Sequence, residues 1–69
     1  MKYKIQCERE TDGRWIAEIE ELPGVLAYGK TKKEAIAKAE ALALRVISEK
    51  IEHGESSPDF TISFTTPAL

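Results

Sequence analysis

The chain has 69 residues, 42% of them hydrophobic and 32% charged, with a net charge of −2 at neutral pH. That length specifies one domain, residues 1–69, with a small core, since a chain of this size buries only about 60% of its unfolded surface. The composition excludes a disordered polymer. The basic residues form no stripe for binding nucleic acid directly, the lone Cys7 excludes an internal disulfide, and no apolar run approaches the length of a membrane span.

Residues 2–8 alternate. Tyr3, Ile5 and Cys7 point one way, and Lys2, Lys4, Gln6 and Glu8 the other, which predicts a strand with one buried face. Residues 15–20 alternate as well, with Trp15, Ala17 and Ile19 on the apolar side. Thr11-Asp12-Gly13 between them signals a hairpin. Residues directly opposite in a ladder share a face, so the faces choose the loop. A two-residue loop would set Cys7 against Glu18. A three-residue loop sets Cys7 against Ala17, Ile5 against Ile19 and Lys4 against Glu20, with Gly13 in the left-handed position of a bulge.

Leu22-Pro23-Gly24 ends the second strand. Val25–Tyr28 predicts a short third one, and Gly29 then frees the backbone to turn. Thr31 and Glu34 have the spacing of a capping box, in which the Thr31 hydroxyl accepts from the Glu34 amide and the Glu34 carboxylate reaches back to the Thr31 amide. A helix is therefore expected from about Lys32 to about His53, with Gly54 as its stop. Its core stripe is Ala35, Ile36, Ala39, Leu42, Ala43, Val46 and Ile47. The polar connector Glu55–Pro58 follows. Phe60, Ile62 and Phe64 then alternate with Thr61, Ser63 and Thr65 as a last strand.

The order β-β-β-α-β predicts an α+β domain. A right-handed crossover would place the last strand parallel to the first, giving one four-stranded mixed sheet of order 3-2-1-4 with the helix on one face. The other face, bearing Lys2, Lys4, Gln6, Glu8, Glu18, Glu20, Thr61, Ser63 and Thr65, would lie in water.

Few residues suggest chemistry. Glu18 and Glu20 share a face and have the ligand type for a divalent cation, but Gln6 and Lys4 beside them favour ordinary surface pairing. Cys7 on the apolar face reads as a small buried hydrophobe rather than a nucleophile, and His53 has no sequence reason to approach it. Trp15 is either core or a binding anchor, with core the commoner case. Ala37, Ala41, Leu44 and Ile51 lie off the main stripe and are either scattered surface positions or a contact between subunits, the remaining stabiliser open to so small a domain. A homodimer or higher homo-oligomer is therefore expected.

Asp12-Gly13-Arg14-Trp15 with Ala17, then Leu22-Pro23-Gly24, then Gly29-x-Thr31-x-x-Glu34-Ala35, a helix, and Gly54-x-x-x-Pro58 together resemble the N-terminal domain of HicB antitoxins over nearly the whole chain. The resemblance implies a partial RNase H-like fold. It also implies a non-enzymatic role, without cofactor or metal: binding and sterically neutralising a HicA-type toxin, an mRNA interferase. Glu18, Glu20 and Glu21 would then face basic side chains of that partner. Many family members continue into a DNA-binding domain, whereas this sequence reads as the stand-alone antitoxin-like domain. The expected location is the cytoplasm, since residues 1–20 have no signal-peptide pattern. The alternatives are a self-assembling domain without a toxin partner and a metal-dependent nuclease remnant built on Glu18 and Glu20.

Overall fold

A computed structural model describes residues 2–54 and 61–66. Its elements are β1 (Lys2–Lys4), β2 (Gln6–Arg9), β3 (Trp15–Glu18), β4 (Leu26–Gly29), α1 (Lys32–Glu52) and β5 (Ser63–Thr65). β2, β3 and β4 form an antiparallel sheet in that order, and β1 pairs with β5 in parallel. The α+β class and the single helix are as expected. The strand count is not: among the described residues, five strands in two sheets replace four in one.

The cause is a handover at Ile5. The ladder of β2 with β3 ends at Gln6 and Glu18. The chain then leaves the sheet after Ile19, through turn bonds from the Leu22 amide to the Ile19 carbonyl (3.1 Å) and from the Val25 amide to the Leu22 carbonyl (3.0 Å). Residues 2–5 thus lose a partner on that side and find one on the other. Lys2, Tyr3 and Lys4 stand against Ser63, Phe64 and Thr65, and the Ile5 amide donates to the Thr65 carbonyl at 2.9 Å. The expected pairings of Ile5 with Ile19 and of Lys4 with Glu20 are accordingly not in the ladder. The Lys4 amide instead donates to the carboxylate of Glu21, Oε2, at 3.4 Å.

The hairpin follows the choice made by the faces. Cys7 stands against Ala17 and Arg9 against Trp15. The Glu10 amide donates to the Arg14 carbonyl at 2.7 Å, which leaves Thr11, Asp12 and Gly13 as the loop. Gly13 has φ +92°, the left-handed conformation that a bulge of this kind requires.

Thr31 caps α1, its hydroxyl accepting from the Glu34 amide at 3.1 Å. The reciprocal half of the expected box is displaced by one residue. Glu34 Oε1 accepts from the amide of Lys30 (3.3 Å), not Thr31, and is also 3.2 Å from Lys38 Nζ. His53 is the C-cap, its amide donating to the Glu49 carbonyl at 3.0 Å. Gly29 likewise differs from expectation. It is absent from the positive-φ glycines, yet a Cβ on it would lie 2.5 Å from the Ala35 backbone nitrogen. Its role is close approach of β4 to the first turn of the helix.

The core lies between α1 and the sheet. Ile5, Ala17, Ile19, Leu22 and Val25 meet Ala35, Ile36, Ala39, Ala43 and Ile47, all buried. Four of these are alanines that let the helix sit close to the strands, while the isoleucines fill the remaining volume. Leu42, Val46 and Ile62 pack at the margin of this cluster, as do Tyr3 and Phe64, whose rings are 6.0 Å apart. Pro58, Phe60 and the connector at 55–58 lie outside the described residues.

Candidate functional site

The sheet face turned away from α1 is built by alternation. Gln6, Glu18 and Leu26 share one row and Glu8, Ile16 and Tyr28 the next, since the registers place each of these opposite the other. Leu26 and Tyr28 are each 41% exposed, and Ile16 is half-buried between them and the acids. Gln6, Cys7, Glu8, Ile16 and Glu18 line a shallow depression of about 250 Å³.

The hairpin loop holds one end of this face. The Asp12 carboxylate accepts from the Arg14 amide (Oδ1, 3.0 Å) and from Arg14 Nε (Oδ2, 2.7 Å). The guanidinium so fixed lies over the Tyr28 ring, 4.4 Å from its centroid. This stacking anchors an otherwise exposed aromatic. The bonds from Arg14, led by its backbone amide, hold the Asp12 carboxyl below its ordinary range. Side-chain bonding to Lys38 and the Lys30 amide does the same for Glu34.

The acidic residues expected at a partner surface divide by position. Glu18 stands on β3 beside the depression, whereas Glu20 and Glu21 are exposed in the turn that follows. Among the described residues no group of three Cys, His, Asp or Glu side chains is placed to hold a metal ion. The helix positions also divide. Ala37, Ala41 and Leu44 are exposed, Leu44 at 49%, but Ile51 packs against the core. Ile51 therefore does not belong to an outward-facing group. Trp15 points to the helix side and packs on the core, with Lys32 Nζ 5.9 Å from its ring centroid.

Cys7 is half-buried against the core as a free thiol. Burial pushes its pKa up, opposed by the charge of Lys32. His53 is exposed at the far end of the helix. The arrangement offers a mixed surface of apolar side chains rimmed by carboxylates. The parts that sequence reasoning missed are Leu26, Tyr28 and Arg14. The run Val25–Tyr28 carries no polar alternation of its own, and Leu26 and Tyr28 fall on the same side as Glu18 only once the register is set.

No family model matches this chain, and no solved structure matches it. A curated relative, the UPF0150 protein Ta0767 of Thermoplasma acidophilum, is 33% identical over 58 residues, which span 84% of both chains. No helix among the described residues is long and apolar enough to cross a membrane. With 33% identity over 84% of both chains, the chain belongs to the UPF0150 family.

Proposed function

We propose that this protein is a HicB-like binding module, whose open sheet face docks on a small basic protein of the HicA toxin type and covers that protein's RNA-binding surface. The observation that carries the reading is the composition of the face. Ile16, Leu26 and Tyr28 supply apolar area, and Glu8 and Glu18 supply negative charge beside it. Interfaces commonly join an apolar centre with a charged rim in this way. The relative in the UPF0150 family and the order of the glycine, proline and capping motifs support the HicB-like assignment. Neutralisation on this reading is steric, and the carboxylates of Glu18, Glu20 and Glu21 speed and orient the encounter.

The experiment is a search of the adjacent genes for a small basic protein and direct binding of any such product, measured by calorimetry and stopped-flow at low and high salt. Binding is expected, with an association rate that falls as salt rises. The double variant Glu8→Lys, Glu18→Lys should slow association at least tenfold without loss of helix. A neighbouring protein that does not bind, or whose binding ignores this charge reversal, refutes the proposal.

A further inference from the structure

Tyr28 is an exposed aromatic that the chain itself holds in place. Gly13, at φ +92°, closes the hairpin loop tightly. The Asp12 carboxylate can then accept from the backbone amide two residues on, that of Arg14, at 3.0 Å. Its second oxygen takes Arg14 Nε at 2.7 Å. Arg14 lies two residues before Ile16, on the same side of the chain, and Ile16 stands opposite Tyr28. The guanidinium reaches diagonally across the two strands and lies 4.4 Å from the centre of the Tyr28 ring. An exposed ion pair such as Asp12–Arg14 adds little to folding stability, which leaves the placing of the ring as its main effect. Leu26 is as exposed as Tyr28, but an aliphatic side chain gives a guanidinium no face to stack on.

We infer that Tyr28 is the hot spot of the open face, set in its bound rotamer by Asp12 through Arg14, and that it enters an apolar pocket of the partner. The inference rests on the docking reading proposed above and names where its affinity is concentrated. Ordering a side chain during association costs affinity, and here the ordering precedes association. A few tyrosine, tryptophan or arginine anchors carry most of the binding energy at many interfaces, whereas leucine is under-represented among them.

The surroundings of the ring fix the chemistry of the partner. Asp12 offsets the charge of Arg14, so the corner beside Tyr28 is close to neutral. Ile16 continues the apolar area, and Glu8 stands beyond it in the same row, two strand spacings or about 10 Å from Tyr28. The partner that fits carries an apolar pocket with a lysine or arginine about 10 Å away. Arg14 and Asp12 are positioning residues on this account, acting through the ring.

The probe is a small basic neighbour that binds in the experiment above. Tyr28→Thr, which keeps strand propensity, should weaken its binding at least about thirtyfold with helicity unchanged. Tyr28→Phe keeps the ring and should cost less than about threefold, and Leu26→Thr less than about fivefold. Arg14→Gln and Asp12→Ala should each cost about threefold to fivefold. That loss should vanish when either is combined with Tyr28→Thr, as it would not if Arg14 itself touched the partner. In the free protein, χ1 couplings should show a single Tyr28 rotamer that becomes averaged in Arg14→Gln. Binding that survives Tyr28→Thr, an Arg14→Gln loss that persists beside Tyr28→Thr, or an averaged rotamer in the free wild type overturns the anchor and leaves the docking reading standing. If no neighbour binds, the docking reading fails and the anchor with it.

Discussion

Substituting alanine for Gly29 places a methyl group against the helix backbone. The new Cβ would lie 2.5 Å from the Ala35 nitrogen and 3.0 Å from both the Ala35 Cα and the Glu34 carbonyl carbon. The nearest approach is about 1 Å short of ordinary contact. No flexible side-chain tip is available to yield, so β4 and the first turn of α1 must separate. That movement strains the bond from the Ala35 amide to the Thr31 carbonyl (3.1 Å) and the Thr31 cap on Glu34. Overpacking costs about 1–3 kcal/mol, and the upper half of that range applies where backbone is struck. The stiffer unfolded chain offsets about 0.4–1 kcal/mol. The net loss is about 2 kcal/mol, out of a total of roughly 3–10 kcal/mol for a domain of this length. In a thermal melt that is a fall of about 8–16 °C. Urea unfolding should show a lower midpoint with an unchanged slope. A loss below about 0.5 kcal/mol would refute the close-approach role, since a glycine kept only as a connector would tolerate alanine.

Asp12 and Glu34 both have folded pKa values below their unfolded ones, through bonds from Arg14 and from Lys38 with Lys30 respectively. Their contribution is present above the unfolded carboxyl range and is lost as pH falls through the lowered folded values. Urea midpoints measured from pH 7 down to pH 2 should decline, and Glu34→Gln should flatten part of that decline. An unaltered profile in Glu34→Gln argues against the Lys30 and Lys38 bonds. Cys7, raised by burial, should alkylate with iodoacetamide at neutral pH more slowly than glutathione, and reach the free-thiol rate in urea. Equal rates in the folded protein would mean that its sulfur is open to solvent as a thiolate.

What could be read in advance was local. The hairpin loop followed from requiring Cys7 and Ala17 to share a face, and the start of α1 followed from Thr31 and Glu34, three residues apart. Both depend on residues no more than ten apart in the chain. The division of the first strand at Ile5 depends on where Ile19–Val25 leaves the sheet and on a partner strand some sixty residues away. Alternation within residues 2–8 carries no trace of which edge is occupied. Gly29 was misjudged for a related reason, because its constraint is the distance to Ala35 and not its own φ. The open face was half legible. Val25–Tyr28 is a short continuous apolar run, and such a run does not separate buried Val25 from exposed Leu26 and Tyr28 until the pairing is known. Ile51 looked peripheral on an ideal wheel, but the last turn of α1 still reaches the core margin.

The parallel contact between β1 and β5 ties residue 2 to residue 63. Among the described strand pairings it closes the longest loop, and the entropic cost of closure grows with loop length. Everything between Gln6 and Glu52 can assemble from nearer neighbours. The short ladder at the ends is therefore expected to be a late-fastened clasp, first to open in thermal breathing and last to re-form, with hydrogen exchange at the Ile5 amide as the check. When it opens, Tyr3 and Phe64 part and the flank of the core beside Ile5 meets water, while the hairpin and the helix stay assembled.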